Sequence, residues 1–512
     1  MGFFSILGSI FGWLGYLILG FLALQIVRCV IIPKKILKAY SQQGVLTQFF
    51  LLLGSLKRER GFEKTHKDIL GYFKQLAKTN PDVPALMHNF GSRIDVSLLD
   101  PKLIKEFYRN ESFYQRGFTT KAMRTLIGTG LFVAEGDLWK THRKVISSMF
   151  HFEFLKQNVP VTIATAREFF AKIQKDSLKN VNIESEIQKI TGEVVGRVFF
   201  SEKLNEYTFK GEPLTMYLSG MLTRMPRIFK DPKVLFLVMT GLDLDYSPKY
   251  RQFSQDMKEF RQVCHKIIQD RKASAKTHND LLGKLLETQT SNSQNPHEIF
   301  SDEDIINEFL TFFIAGMDTT GQLVTMTLLL LHLNPQYIEE IKRETEEIYN
   351  KEEIPSIDTL NKMTMTHGIV KESLRLYGPS PNMPARKALQ DHNLGDLKIK
   401  KGMFVRPVPV YNSLNSKYFD EPEKFKPERW TEKKEVSLDP FAFIPFSAGA
   451  RNCIGQHLAM IEAKVIVIEF FRMFSRSKLV PEDYDLIMTF VSLYKPKNPV
   501  ILELERGENM RE

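Results

Sequence analysis

The stretch from residue 302 to residue 333 constrains the fold most, because it predicts one very long helix that needs apolar neighbours on all sides. Ser301 is a candidate N-cap, Asn334-Pro335 is a stop signal, and the helix between them would span roughly 48 Å. Residues 323–333 are apolar nearly all round, which is typical of a buried helix. A membrane span is the alternative, but Asp318 near the centre would cost about 2.5–3.5 kcal/mol there. We therefore predict a helix through the middle of a large core.

A second apolar stretch, residues 3–27, carries no acidic or basic side chain. As a helix it would reach roughly 37 Å, enough to cross a hydrocarbon core of about 30 Å. A cleavable signal peptide is the alternative, but its shorter apolar region normally follows a basic stretch, and no basic residue precedes this one. By the positive-inside rule, the basic residues on its carboxyl side place the rest of the chain in the cytosol. Those residues are Arg28, Lys34, Lys35 and Lys38.

The cysteine content argues against a disulfide framework or a structural zinc site. Cys29, Cys264 and Cys453 are far apart, and no C-x-x-C pair occurs. The 70 Lys+Arg against 60 Asp+Glu give a net charge of +10, which suits an anionic membrane, a nucleic acid or an acidic protein partner. No nucleic-acid-binding motif accompanies this charge, so we expect no nucleic-acid partner.

The periodicity predicts a mainly α protein with a small β part. Helical patterns dominate up to residue 378 and return over 456–474, whereas 397–400 and 403–410 predict a two-stranded unit with a glycine turn. The absence of βαβ alternation excludes a Rossmann or TIM architecture. The predicted divisions are a transmembrane anchor (1–30), a basic juxtamembrane linker (31–60) and one large domain (61–512).

The segment 446–456 places a cysteine directly before the last long helix. A lone buried cysteine is usually an inert small hydrophobe. Cys453, however, precedes a helix N-terminus and lies near Arg451, and both features lower a thiol pKa. Gly449 and Gly455 permit close backbone approach. We therefore expect a thiolate in a tight loop, suited to a soft metal.

This segment resembles the Phe-x-x-Gly-x-Arg-x-Cys-x-Gly signature of cytochrome P450, the haem-thiolate monooxygenase family. The resemblance implies the cytochrome P450 fold, in its microsomal membrane-anchored type, and haem b. It makes Cys453 the axial ligand of the haem iron, where a thiolate favours O–O cleavage. It also pairs Arg451 with a haem propionate and places Phe446 beside the sulfur. The matching residues are Phe446, Gly449, Arg451, Cys453 and Gly455.

Residues 315–320, Ala-Gly-Met-Asp-Thr-Thr, resemble a second family pattern, on the long helix. There Gly316 would open room over the haem, and Thr319 and Asp318 would act catalytically by relaying protons through water. The alternative is that Thr319 bonds back to the carbonyl of residue 315 while Asp318 meets a buried cation.

Trp139 and Arg143, four residues apart on one helix face, resemble the family's propionate-binding pair. The alternative is a tryptophan packed under an arginine. Arg386 falls where the family often has a further propionate contact.

Glu372 and Arg375, three residues apart on a predicted helix, form a common and weak surface pattern when considered alone. With Arg429 they resemble the family's Glu-Arg-Arg cluster, which implies a structural role in holding the haem-ligand loop.

The resemblance implies a monooxygenase that inserts one oxygen atom of O2 into a lipophilic small molecule such as a fatty acid, sterol or xenobiotic. Electrons would come from NADPH through a flavoprotein reductase, with cytochrome b5 as a further partner, at the endoplasmic reticulum membrane with the catalytic domain facing the cytosol. One alternative is a haem-thiolate isomerase or dehydratase acting on a peroxide, although the Asp318-Thr319 pair argues against it. The other is a membrane-anchored haem sensor without catalysis.

The sequence also predicts two interaction surfaces and a substrate pocket. Residues 221–244 combine cations with an apolar run, which predicts either a core helix or a second membrane contact at the segment resembling the family's substrate-access region. A basic face for the reductase is expected at Lys140, Arg143 and Lys144. The substrate pocket is expected to include Phe312, Phe313, Asn382 and Met383.

Overall fold

The structure is a computed structural model, and its helices carry most of the chain. It describes residues 2–51, 55–116, 119–229, 231–240, 243–274, 278–290, 296–431 and 438–507. The helices are, in chain order, α1 (Gly2–Ile26), α2 (Ile32–Ser41), α3 (Leu56–His66), α4 (Gly71–Thr79), α5 (Pro101–Arg109), α6 (Thr119–Ile127), α7 (Gly136–Ser147), α8 (Phe152–Asp176), α9 (Ile183–Phe200), α10 (Leu214–Phe229), α11 (Pro232–Thr240), α12 (Pro248–Ala273), α13 (Leu281–Gln289), α14 (Asp302–Leu333), α15 (Gln336–Glu347), α16 (Ile357–Lys362), α17 (Thr364–Tyr377), α18 (Pro409–Ser413) and α19 (Gln456–Met473).

The strands are short and form several small sheets. The largest sheet has the order β1-β2-β3-β11-β8-β4 and mixes parallel with antiparallel pairs. In chain order they are β1 (Leu46–Gln48), β2 (Ala85–Phe90), β3 (Arg93–Leu98), β4 (Tyr114–Arg116), β5 (Val181–Asn182), β6 (Thr208–Phe209), β7 (Glu212–Pro213), β8 (Arg386–Ala388), β9 (His392–Leu394), β10 (Leu397–Ile399), β11 (Phe404–Pro407), β12 (Phe474–Val480), β13 (Met488–Phe490), β14 (Tyr494–Pro496) and β15 (Ile501–Arg506).

The long helix α14 has the bounds that the sequence predicts. Ser301 caps it through a capping box with Asp304, in which each side chain accepts from the other residue's backbone N–H. The apolar window of α14 is 83% buried inside the protein. Helix α14 is therefore a core helix and not a membrane span, and it packs against α9, α17 and α19.

The predicted glycine-turn hairpin around residue 402 is wrong. The chain does turn there, with Gly402 at φ +89°, but β10 pairs antiparallel with β9 instead of β11. Strand β11 joins the large sheet, parallel to β3 and antiparallel to β8. The physical reason is burial, since Val405 on β11 becomes fully buried in the apolar cluster on that sheet.

The N-terminal helix continues almost without interruption into the globular part. A π-helical turn over Val27–Ile31 joins α1 to α2, with Pro33 in the first turn of α2. Residues 15–41 have a mean hydropathy of 2.1 in their most apolar window, none of which is buried, so this helix is a candidate membrane span. At its far end Tyr40 is buried and its hydroxyl donates to the Lys398 carbonyl at 2.5 Å. Part of the predicted linker, residues 31–60, therefore packs on the core.

Candidate functional site

An internal cavity of about 360 Å³ lies between α14 and the loop that precedes α19. Its walls are mainly apolar, with rings from Phe150, Phe199 and Phe312. The tertiary structure brings together here most of the residues that the sequence analysis selects. They are Trp139, Arg143, Gly316, Thr319, Arg386, Phe446, Arg451, Cys453 and Gly455.

Cys453 is held in a tight loop. Its backbone N–H donates to the Phe446 carbonyl at 2.9 Å. Gly449 has a φ of +72°, and a Cβ there would lie 3.0 Å from the ring of Tyr108, so the loop requires glycine at this position. Gly455 is the N-cap of α19, and a Cβ there would meet open space. The loop thus presents the sulfur to the cavity immediately before a helix N-terminus.

The thiol of Cys453 lacks the lowered pKa that the sequence analysis expects. Burial raises its pKa, and the backbone N–H of Gly455 and the charge of Arg143 offset only part of this effect. Arg451 is not among the groups that lower this pKa, and its guanidinium lies over the Trp139 ring at 4.0 Å. Burial therefore favours the thiol, and a cation bound in the cavity would favour the thiolate.

Three predicted arginines reach the cavity with different partners. Arg143 donates to the backbone and side-chain oxygens of Asn452, at 2.9 and 2.8 Å. Arg386 forms a short ion pair with Glu111, 2.5 Å between Nη1 and Oε1. Burial, followed by repulsion from Arg386, lowers the pKa of Arg451 to about 10.

A fourth arginine, Arg116 on β4, also lines the cavity and was missed by the sequence analysis. Burial, then repulsion from Arg451 and Arg386, lowers the pKa of Arg116 to about 9. Its Nε is buried without a hydrogen-bond partner in the part of the chain that the structure describes. No spacing or motif in its three-residue strand distinguishes it. The site therefore holds more positive charge than its neighbouring carboxylates neutralise.

This donor set fits an iron porphyrin. A sulfur faces the cavity, the walls are apolar, and guanidiniums in excess of carboxylates suit the two propionates of haem. These features together define the class of haem-thiolate proteins.

The predicted catalytic residues of α14 face two directions. Thr319 lines the cavity, and its Oγ1 donates to the Ala315 carbonyl at 2.5 Å, as in the alternative interpretation. Asp318 instead is buried and its Oδ1 accepts from Ser219 at 2.9 Å and from Gln188 at 3.5 Å. Burial raises the pKa of Asp318 to about 6 against the lowering effect of the Ser219 hydroxyl. Thr319 and Asp318 thus do not meet directly.

Gly316 serves helix packing as well as the cavity wall. A Cβ at this position would lie 2.7 Å from Cγ2 of Val195 on α9, closer than ordinary contact allows. Glycine therefore lets α14 and α9 approach each other.

The Glu-Arg-Arg residues come together away from the cavity. Glu372 accepts from Nε and Nη2 of Arg375, and from Nε of Arg429 at 2.9 Å. Trp430 Nε1 and the Lys426 backbone N–H also donate to Glu372, at 2.8 and 3.0 Å. Burial alone would raise the pKa of Glu372, but the bonds and charges of the two arginines hold it below its usual value.

Glu462 on α19 is a further residue that the sequence analysis missed. It is 2% exposed and lines the cavity. Burial raises the pKa of Glu462 to about 8. An acid within an otherwise apolar helical stretch was the available signal.

Of the residues that the sequence predicts for the substrate pocket, some line the cavity and others do not. Phe312 and Met383 line the cavity, whereas Phe313 stacks on Phe309 inside the core and Asn382 lies outside the cavity wall.

The predicted basic face is exposed only in part. Lys140 and Lys144 are exposed and pair with Asp137 and Glu298, while Arg143 turns inward. In the segment 221–244, Phe236 is 59% exposed, and Val234 and Leu237 are buried in a small cluster.

Comparison with known proteins extends this picture. The family model described as Cytochrome P450 matches residues 48–504. A "Cytokinin hydroxylase" of Arabidopsis thaliana is 29% identical, covering 91% of this chain and 92% of that protein. "Cytochrome P450 4c21" of Blattella germanica is 28% identical, covering 82% of this chain and 86% of that protein. The crystal structure of the "cytochrome P450DA heme domain" superposes with a TM-score of 0.73 at 22% identity, over 86% of this chain and 93% of the other.

The chain belongs to the cytochrome P450 family, and it has the cytochrome P450 fold that the sequence analysis predicts. It is accordingly an oxidoreductase of the monooxygenase type, and the family implies haem iron.

Proposed function

We propose that this protein is a membrane-anchored monooxygenase that hydroxylates a lipophilic small molecule. One oxygen atom of O2 enters the substrate and the other leaves as water, with two electrons from NADPH delivered by a flavoprotein reductase. The observation that carries the proposal is the convergence of the Cys453 sulfur, four arginines and Thr319 on one apolar cavity. The aromatic walls support a fatty acid, sterol or apolar xenobiotic over a polar substrate.

Haem b, bound through the Cys453 sulfur, supplies the activation of O2. The guanidiniums hold its carboxylates, while Trp139 keeps Arg451 in place by stacking at 4.0 Å. Phe446 and Gly449 shape the loop that aims the sulfur. The carboxylate of Glu111 orients Arg386 through their ion pair. The haem-holding residues are Arg116, Trp139, Arg143, Arg386, Phe446, Gly449, Arg451, Cys453 and Gly455.

Proton supply is the role we assign to Asp318 and Thr319. With a pKa of about 6 the Asp318 carboxyl exchanges protons readily near neutral pH, and Ser219 holds it from the opposite side of α14. The Thr319 hydroxyl lines the cavity, where it would relay protons through water to the oxygen atom of O2 that leaves as water. Because the two residues face different directions, their coupling runs through water instead of a direct bond. Gly316 lines the same cavity wall three residues before Thr319.

The cluster of Glu372, Arg375 and Arg429 serves as a structural support. It ties α17 to the segment 413–430, which leads to the cysteine loop.

We assign residues 1–30 to a transmembrane anchor, 31–60 to a juxtamembrane segment and 61–512 to the catalytic domain, facing the cytosol at the endoplasmic reticulum. The exposed Phe236 supports a second contact of 221–244 with the membrane. The exposed Lys140 and Lys144 support docking of the acidic reductase, with cytochrome b5 as a further donor. The names of the two curated relatives, a cytokinin hydroxylase and a cytochrome P450, agree with hydroxylation as the reaction.

The test begins with the haem-loaded full chain, reduced under carbon monoxide. A strongly red-shifted Soret band is expected; it is lost in Cys453→Ala and kept in Cys264→Ala, whose cysteine is buried in the core away from the cavity. Folded, haem-loaded protein without the band contradicts the thiolate. Incubation with reductase, NADPH, 18O2 and a panel of fatty acids and sterols then tests catalysis. A hydroxylated product with one 18O atom supports the proposal, whereas haem binding without turnover of any panel member supports a sensor.

A further inference from the structure

The cysteine loop, residues 446–455, contains a serine in an unfavourable backbone conformation. Ser447 has a φ of +64°, in the left-handed region, as has Gly449 at +72°. Glycine adopts this region readily, but the Cβ of a serine crowds the following carbonyl there. Such a residue persists only where its surroundings hold it. Ser447 therefore depends on contacts from outside the loop.

The conformation of Ser447 determines the direction of the carbonyl that fixes the cysteine. The Cys453 backbone N–H donates to the Phe446 carbonyl at 2.9 Å. That carbonyl lies in the planar peptide unit that joins Phe446 to Ser447, so a change of φ at Ser447 rotates it relative to the rest of the loop. If Ser447 left the left-handed region, Cys453 would lose its acceptor. The orientation of the sulfur is thus coupled to one strained residue six positions earlier.

Tyr108 on α5 holds Ser447 from outside the loop. The two hydroxyls share a hydrogen bond, with 2.8 Å between the Tyr108 oxygen and Ser447 Oγ. Tyr108 is 7% exposed, and burial raises the pKa of its hydroxyl, so the group stays protonated and able to donate. The ring of Tyr108 also lies against Gly449, where an added Cβ would come within 3.0 Å. A single side chain therefore contacts both left-handed residues of the loop.

Helix α5 is a firm base for this contact. Asp100 caps its N-terminus by accepting from the Lys102 backbone N–H at 2.6 Å. Ile104 and Phe107 are buried in the apolar cluster on the large sheet. The Phe107 ring meets the Tyr108 ring edge-on, with 5.3 Å between their centroids. Because α5 is fixed by its cap and its apolar face, Tyr108 restrains the loop instead of moving with it.

A second contact from the same direction holds the next part of the loop. Glu111, two residues after α5 ends, accepts from the Ala450 backbone N–H at 3.2 Å through Oε2. Its Oε1 pairs with Arg386, which keeps the carboxylate in place. Tyr108 and Glu111 thus restrain the loop at two points, and the Tyr108 contact is the one made to the strained residue.

We propose that Tyr108 is a positioning residue for the cysteine loop, whose hydroxyl stabilises the left-handed backbone of Ser447 and so keeps the sulfur of Cys453 aimed into the cavity. The inference rests on the proposed ligation of haem iron by Cys453. It assigns a role to the hydroxyl in addition to the ring. If packing against Gly449 were the whole contribution of Tyr108, phenylalanine would replace it without effect.

The test uses the haem-loaded full chain in phosphatidylcholine nanodiscs, reduced under carbon monoxide. The red-shifted Soret band is followed over time in a guanidinium concentration that leaves the circular dichroism of each variant unchanged. Tyr108→Phe should lose this band roughly fivefold faster than the parent, because it removes one buried hydrogen bond. Tyr114→Phe is the matched control, since Tyr114 is also 7% exposed and its hydroxyl lies 2.6 Å from His392 Nε2. The rate of the control should stay within about twofold of the parent.

Substitutions of Ser447 test the backbone part of the proposal. Ser447→Ala removes the hydroxyl but keeps a Cβ at positive φ, so it should speed the loss of the band at least as much as Tyr108→Phe does. Ser447→Gly removes the hydroxyl together with the steric cost, so it should lose the band more slowly than Ser447→Ala. Combining Tyr108→Phe with Ser447→Ala should give about the rate of the faster single variant, since both changes break one bond. Single-variant effects that multiply in the double variant count against the proposal.

Amide hydrogen exchange gives a measurement that does not depend on the haem spectrum. In Tyr108→Phe the peptide that contains residues 446–455 should exchange faster than in the parent, while peptides of α14 should exchange at the parent's rate. Haem content is followed in parallel, because Tyr108 and Ser447 also line the cavity. Loss of haem as fast as loss of the band would indicate a contact of Tyr108 with haem and would contradict its role in the loop.

The outcomes separate this inference from the proposed function. A parent that shows the red-shifted band, with unchanged band kinetics and unchanged exchange in Tyr108→Phe, overturns the role of Tyr108 and leaves the thiolate ligand intact. A folded, haem-loaded parent without the band overturns both.

Discussion

Arg375 and Glu372 form a two-pronged hydrogen bond in the protein interior, with Nε to Oε2 at 2.8 Å and Nη2 to Oε1 at 2.7 Å. Both side chains are fully buried. The carboxylate also accepts hydrogen bonds from Arg429, Trp430 and the Lys426 backbone, so it joins α17 to the segment 426–430. Removing one partner leaves an uncompensated charge in the core.

We therefore expect Glu372→Ala to lower the free energy of unfolding by about 3–5 kcal/mol. Glu340→Ala provides a matched control, because Glu340 pairs with Arg343 at the same spacing but on the surface. The control should leave the unfolding curve nearly unchanged. Chemical denaturation of both variants measures the difference, and equal losses in the two would show that burial is not the cause.

Asp318 should make stability depend on pH. Its pKa is about 6 in the folded protein against 3.8 as the ordinary value, so the folded state holds this proton more tightly. Stability is then lost as pH rises from about 4 to about 6. Asp318→Asn should be more stable than the parent by roughly 2–3 kcal/mol at pH 7.5 and nearly equal to it at pH 4.

Denaturant titrations from pH 4 to 8 check this dependence. The exposed Asp396 offers the control variant Asp396→Asn, which should show no such trend. A stability difference for Asp318→Asn that is constant across this range would contradict the raised pKa.

Arg116 should have opposite effects on the haem-free and haem-loaded proteins. Without haem its buried Nε lacks an acceptor and it is repelled by Arg451 and Arg386, so Arg116→Gln should raise the melting temperature. With haem bound, the same change removes a charged hydrogen bond of about 1.5–3 kcal/mol and should speed haem loss to apomyoglobin. Parallel shifts in both forms would argue that Arg116 does not contact the propionates.

Gly316→Ala should be destabilising although alanine is the better helix former. The new Cβ would lie 2.7 Å from Val195 Cγ2, and such overpacking typically costs about 1–3 kcal/mol. Val195→Ala should relieve the clash, so the double variant is expected to be more stable than the sum of the single changes. Thermal unfolding of the four proteins forms a double-mutant cycle, and simple additivity would exclude this contact as the cause.

Local chemistry made several elements predictable. The capping box of Ser301 and Asp304 and the stop after residue 333 lie within a few residues of the ends they specify, so α14 has its predicted bounds. The spacing from Phe446 to Gly455 likewise encodes a loop whose hydrogen bonds are short-range. The partner of strand β10 could not be predicted from the sequence, because the same alternation in β10 suits pairing with either β9 or β11. Burial of Val405 on β11 against distant residues selects the pairing.

The sequence by itself determined the helical class, the candidate anchor, the cysteine loop and the family resemblance, because these depend on periodicity and on motifs a few residues long. Only the tertiary structure decided which side chains share the cavity. It turned Asp318 towards Ser219, added Arg116 and Glu462 to the site, and raised the pKa of the Cys453 thiol through burial. The physical reason is that direction, desolvation and charge balance arise from residues hundreds of positions apart, whose proximity no local pattern records.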